Sequence, residues 1–108
     1  MYTSDMAPAP RLTRPSYKVL SYMVQAPSNE HYGFELMDAC GLSSATTYRT
    51  LARFRDAGWL EWRVEAVDPA EVGRPARTYY RLSPDGALMA RGALDELGLA
   101  GNAAGAVA

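Results

Sequence analysis

The sequence contains one cysteine, Cys40, and one histidine, His31. A single cysteine excludes an intrachain disulfide, and the pair falls short of the ligand set a zinc site needs. Cys40 lies near the end of a predicted helix and reads as a small packing residue. His31 stands alone in a connecting stretch. Nucleophile-plus-base chemistry needs a second polar partner at a site, so no catalytic set is legible and neither enzyme activity nor a cofactor is expected. Long apolar runs are also missing: nothing approaches the roughly 20 residues that cross a membrane. The opening residues MYTSDMAPAPRLTR lack the apolar core of a secretory signal. These absences point to the cytoplasm and away from a membrane partner. An excess of basic charge is lacking too. The net charge is −1, a poor design for a protein that coats DNA without regard to sequence.

What is present suits one small globular domain. The chain has 108 residues and is 48% hydrophobic, which supports a modest core. Residues 1–12 are rich in alanine, proline and small polar residues and predict a flexible segment. A first helix is expected from Thr13, with Pro15 in its first turn and Val19, Leu20, Met23 and Val24 as its apolar stripe; Pro27 ends it. Gly33 opens a short second helix, Phe34 to Ala39, with Phe34, Leu36, Met37 and Cys40 as candidate packing residues. Gly41 stops it.

The stretch LSSATTYRTLARFRDAGWL, Leu42 to Leu60, organises the rest. Ser43 is a good N-cap and Gly58 suits the left-handed residue that ends a helix. At about 100° per residue, Thr47, Leu51 and Phe54 share one face. Ala45, Thr46, Arg49, Ala52 and Arg53 share the other. Small residues at the start and arginines further on are what a helix entering a DNA major groove needs. The short turn between the second and third helices forces a steep crossing, as in a helix-turn-helix.

After Gly58 the period changes to alternation. In WLEWRVE, Leu60, Trp62 and Val64 point one way; in RTYYRL, Tyr80 and Leu82 do so. The intervening AVDPAEVGRPA is broken by Pro69, Gly73 and Pro75, so a two-stranded hairpin with a long tip is predicted. Arg74, between Gly73 and Pro75, is expected to be held out from the body, where it suits a minor groove. Arg63 and Arg81 are expected to pair with neighbouring acids. Ser83-Pro84 starts a closing helix, residues 84–97, with Leu88, Met89, Ala93, Leu94 and Leu97 as its stripe. The uncharged tail, residues 98–108, is low in complexity.

The ordered set YGFELMDACG, LSSATTYRTLARFRDAGWLEWR and GRPARTYYRLSPDGALM resembles the PadR family of bacterial transcriptional regulators. The matching pieces are Tyr32-Gly33, Tyr48, Gly58-Trp59-Leu60, Gly73-Arg74-Pro75, Tyr79 to Leu82 and Ser83 to Gly86, within residues 16–97. Ala76 stands where a further basic residue is common, and only one closing helix is present. The resemblance implies a mainly α (α+β) winged helix-turn-helix over residues 13–97, with three helices, a two-stranded wing and a C-terminal dimerisation helix. It implies a regulator, of the repressor type, that binds double-stranded DNA at an inverted repeat as a homodimer.

The DNA-binding candidates are Ser44, Ala45, Thr46, Tyr48, Arg49, Arg53, Arg74 and Arg77. The dimerisation candidates are Val19, Met23, Leu88, Met89, Leu94 and Leu97. A winged helix that binds protein instead of DNA is the competing class, which the acidic balance allows. A small-molecule effector near the dimer interface is a third expectation, with no ligand chemistry legible.

Overall fold

A hydroxyl followed by a proline starts the first helix of the computed structural model, which describes residues 10–98. Helix α1, Arg14–Val24, is capped by Thr13, whose side chain accepts from the Ser16 amide, with Pro15 in the first turn. Its buried stripe is Ser16, Val19, Leu20 and Met23. Leu12, placed by sequence in the flexible segment, packs half-buried against the core. Strand β1, His31–Tyr32, leads directly into α2, Gly33–Cys40. The Glu35 carboxylate accepts from the Tyr32 amide at 3.3 Å, which satisfies a free donor at the helix start. Gly41, in the left-handed region at φ 65°, ends α2.

Helix α3, Ser44–Asp56, follows α2 after three intervening residues, with Ser43 Oγ accepting from the Thr46 amide at 3.2 Å. Thr47, Leu51 and Phe54 are buried as predicted, and Thr50 joins them. Thr50 tolerates burial because its hydroxyl donates to the Thr46 carbonyl at 2.8 Å. Gly58, at φ 78°, turns the chain out of the helix.

Strands β2, Leu60–Val64, and β3, Thr78–Leu82, form the expected antiparallel hairpin. The sheet has a third strand that sequence patterning missed. The order is β1-β3-β2, with His31 opposite Tyr80 and Tyr32 opposite Tyr79. Two residues are too few to show a period. The hairpin tip also holds more structure than its breakers suggested. Asp68 caps a one-turn helix, α4 (Pro69–Val72), and Gly73 closes it at φ 73°. Helix α5, Pro84–Glu96, starts at Ser83 and buries Gly86, Ala90 and Leu94.

The core lies where α1, α2, α3 and α5 meet the base of the sheet. Within it the Phe54 and Trp59 rings stack at 5.6 Å, 4° from parallel. Several expectations are corrected by this packing. Val19, Met23 and Leu94, taken as dimer residues, are core residues of the single chain, 0–1% exposed. The remaining dimer candidates, Leu88, Met89 and Leu97, are exposed in the single chain, and α5 packs through the Gly86-Ala90-Leu94 row. Phe34, expected to pack, is 65% exposed. Trp62 and Val64 are exposed although Leu60 on the same face is buried. Tyr80, opposite Trp62 in the register, is buried, so cover on this face extends further along β3 than along the edge strand β2.

Candidate nucleic-acid interface

The outward face of α3 carries Ser44, Ala45, Tyr48, Arg49 and Arg53, all exposed, with Thr46 half-buried beside them. The row follows from the 3.6-residue period once Thr47, Leu51 and Phe54 are fixed in the core. Small residues occupy the helix start, so the backbone there can approach another surface closely. Arg49 and Arg53 lie one turn apart behind them.

Charge is sorted across the surface. Arg63 is paired with Glu30 at 2.6 Å and Arg81 with Glu61 at 2.8 Å. Arg74 is paired with Glu65 at 2.7 Å. Among the described residues, no ion pair involves Arg49, Arg53 or Arg55 of α3. Arg55, which sequence reading passed over, lies 5.0 Å above the Trp62 ring and holds that exposed indole against the body. The strand arginines Arg63 and Arg81 and the loop Arg74 are thus neutralised, while Arg49 and Arg53 stand on the exposed face of α3 without an ion pair.

Tyr48 does two things. Its ring end lies against Gly33 so closely that a Cβ there would overlap the phenol, yet the residue remains 47% exposed. Gly33 is therefore the seat of Tyr48, and the hydroxyl sits at the border between α2 and the open face of α3.

The loop from Gly73 to Arg77 closes the other side. The sequence places Arg74 out from the body; the structure corrects this. Its Nη1 and Nη2 donate to the two Glu65 oxygens at 2.7 and 3.0 Å, and Nη1 also donates to the Pro75 carbonyl. Arg77 donates its backbone N–H to Glu65 at 3.1 Å and lays its guanidinium 4.2 Å over the Tyr32 ring. Tyr32 in turn meets Tyr79 edge to face. Between this loop, Tyr48 and the start of α2 runs an open groove of about 430 Å³, lined by Phe34, Tyr48, Arg74 and Arg77 among others.

The Arg74 guanidinium, then the Arg77 amide, hold the Glu65 carboxyl down to about 2. A depressed carboxylate stabilises the fold above its unfolded value of about 4.3, and that stabilisation is lost as pH falls toward the folded value. The Arg77 amide resonance is therefore expected to titrate with a midpoint near 2, followed by NMR, and Arg74→Ala should raise that midpoint. A midpoint unchanged in Arg74→Ala would remove the ion pair as the cause.

A second polar cluster escaped sequence reading. His31 is buried, and its Nδ1 lies 2.6 Å from Glu35 Oε2; an ionised carboxylate only accepts, so the ring nitrogen donates. Tyr22 donates to the same oxygen at 2.9 Å. Burial raises the Glu35 carboxyl, but the His31, Tyr22 and Tyr32 donors outweigh it and the net shift is downward. The Tyr22 hydroxyl is pushed up by donating to that carboxylate. The cluster joins α1, β1 and α2, and the four-residue spacing of His31 and Glu35 was its one visible signal. Burial raises the Cys40 thiol, as suits a packing residue. Among the described residues, no group of three or more metal-ligating side chains gathers, and no helix is long and apolar enough to cross a membrane.

Among solved structures, the fold is similar to that of a protein described as a possible transcriptional regulator from Methanosarcina mazei Go1. The TM-score is 0.59 over 81% of this chain and 74% of that one, at 16% sequence identity. No family model and no curated protein sequence matches the chain.

Proposed function

We propose that this protein is a DNA-binding regulator of transcription built as a winged helix-turn-helix, with α3 as the recognition helix and the β2–β3 hairpin as the wing. The observation that carries the reading is the sorting of charge. The hairpin arginines Arg63, Arg74 and Arg81 each have a carboxylate, whereas Arg49, Arg53 and Arg55 have no ion-pair partner among the described residues. Arg49 and Arg53 share their exposed face with small residues. A chain of net charge −1 that places three of its unpaired arginines on one helix, the others being spread over α1, α5 and the loops, suits a sequence reader better than a general DNA coater. Arg49 meets a base edge, Arg53 and the Tyr48 hydroxyl meet phosphate, and Arg77 lies at the minor groove.

The PadR-like motifs fit this reading. Tyr32-Gly33 and Tyr48 form one packed unit, and Ser83 to Gly86 anchors the closing helix on the turn after α3. A regulator of this kind works on DNA in the bacterial cytoplasm, and a dimer covering an inverted repeat represses by blocking the promoter.

The test is selection of bound sequences from random duplex DNA, followed by titration at several salt concentrations. Recovery of a palindromic site, with affinity falling steeply in salt, supports the reading. Failure to recover any site, with binding to a protein partner that salt hardly changes, supports the interaction-module alternative.

Dimerisation rests on α5. Leu88 and Met89 of α5, and Leu97 at its C-cap, are 73%, 48% and 51% exposed, apolar side chains that a second copy across a two-fold axis would cover. Leu88→Glu is expected to shift the protein from dimer to monomer at micromolar concentration in sedimentation, and to weaken binding to a full inverted repeat more than to a half-site. A wild-type monomer at that concentration, with and without DNA, would defeat the dimer.

A further inference from the structure

The Glu65–Arg74 pair bears directly on how tightly the wing holds DNA. Glu65 stands one residue past the end of β2 and accepts three hydrogen bonds, two from the Arg74 guanidinium and one from the Arg77 amide. Its side chain is 15% exposed and that of Arg74 is 32% exposed.

The tip does not need the guanidinium to keep its shape. Glu65 N–H donates to the Arg77 carbonyl at 2.7 Å, which closes the hairpin through the backbone. Inside the loop, Asp68 caps α4, and the Gly73 and Arg74 amides both donate to the Pro69 carbonyl. Glu65 would keep its bond to the Arg77 amide without Arg74. The bidentate pair therefore adds little to loop geometry. What it changes is the charge offered to a partner. Residues 65–77 carry three carboxylates, on Glu65, Asp68 and Glu71, against two guanidiniums, on Arg74 and Arg77. With Arg74 held by Glu65, the tip presents Arg77 as its one arginine without a carboxylate partner.

We propose that Glu65 is an internal competitor of DNA phosphate for Arg74, and thereby sets the affinity of the wing. The proposal rests on the DNA-binding reading above. A carboxylate and a phosphate take the same guanidinium fork in the same bidentate geometry. On DNA the fork leaves Glu65 and bonds a backbone phosphate, while the Arg77 amide keeps the carboxylate in place. The exchange swaps one ion pair for another, so the wing gains little affinity from Arg74, and the recognition helix decides where the protein binds.

The experiment measures affinity and salt dependence for a labelled duplex carrying the selected site. Wild type is compared with Glu65→Gln, Arg74→Gln and the double variant. Glutamine at 65 still accepts from the Arg77 amide, and a retained Arg77 amide signal by NMR confirms the loop. If Glu65→Gln loses that signal, Glu65→Asp takes its place, since the shorter side chain breaks the bidentate reach and keeps the charge.

The freed arginine is expected to tighten binding roughly twofold to fivefold and to steepen the salt slope by about one counterion. That gain should vanish in the double variant. A gain that persists without Arg74 would overturn the proposal, because removal of a negative charge near DNA would then account for it. Weaker binding by Glu65→Gln with its loop intact would overturn it too, leaving Glu65 as a loop anchor. Wild type that binds no duplex at any salt concentration would overturn the DNA-binding reading, and this proposal with it; wild-type binding with no gain in Glu65→Gln overturns only the competitor.

Discussion

Replacing Gly86 with alanine is expected to lower the melting temperature by roughly 5–20 °C, although alanine is the better helix former. Gly86 sits in the first turn of α5, where its amide donates to Ser83 Oγ at 2.9 Å. The Ser83 hydroxyl donates to the Gly58 carbonyl at 2.8 Å, and the Ser83 amide donates to the Trp59 carbonyl at 2.9 Å. The start of α5 is thus fastened onto the turn that ends α3. A Cβ at Gly86 would lie 2.7 Å from both the carbonyl carbon and the Cα of Trp59, and closer still to the carbonyl oxygen. These are backbone atoms, and the Trp59 ring is fixed by its stack on Phe54. Neither side can yield locally, so the helix start must move away and disturb the Ser83 bonds. Overpacking of this kind costs about 1–3 kcal/mol, occasionally more.

Gly92 on the same helix supplies the control. It is exposed, with nothing within 4 Å of its added Cβ. Gly92→Ala should stabilise by about 0.5–1 kcal/mol through helix propensity alone. Thermal denaturation of both variants separates the two effects. Two shifts of the same sign would show that backbone entropy, and not the contact with Trp59, governs Gly86.

The elements legible in the sequence were those with local signals. Thr13-Pro15, Ser43 and Ser83-Pro84 each start a helix because a side-chain oxygen and an unneeded amide solve the same local problem. Gly41 and Gly58 both have positive φ at helix ends. The face of α3 followed from period alone. What the sequence hid depended on distant partners. The burial of Ala90 rather than Leu88 on α5 is decided by which row meets α1 and Trp59, and residue type alone points the other way. Trp62 and Val64 alternate correctly but lie at the edge of the body, where Trp62 is met by Arg55 and both stay exposed. Strand β1 exists only because β3 passes beside it.

The candidate site divides along the same line. Arg49 and Arg53 were readable because helical spacing fixes an outward direction for them. Arg74 was misplaced because its partner, Glu65, lies nine residues back across the hairpin. Tyr48 could be picked out as a candidate, but not its contact with Gly33, which explains why a glycine opens α2: the phenol occupies the volume a side chain would take.

Arg49 carries the largest expected effect on binding. It is exposed on α3, one residue past Tyr48 and two turns before the helix ends. Thr46 precedes it by three residues and Arg53 follows by four, so it stands mid-face, flanked by a small hydroxyl and a second guanidinium. None of its donors is used in an ion pair among the described residues, so the fork needs no release before it meets a guanine edge. Arg49→Ala should therefore cost roughly 1–3 kcal/mol for the selected site and relax preference at one base position. Arg53→Ala should weaken all duplexes about equally and reduce the salt slope by about one, as a lost phosphate contact would. Folding should be untouched in both, since neither side chain enters the core. Titration of the two variants against the selected site and single-base variants of it distinguishes the roles. If Arg49→Ala loses affinity uniformly across those variants, then Arg49 is a phosphate contact, and the base readout passes to the residues at the start of α3, Ser44 to Thr46.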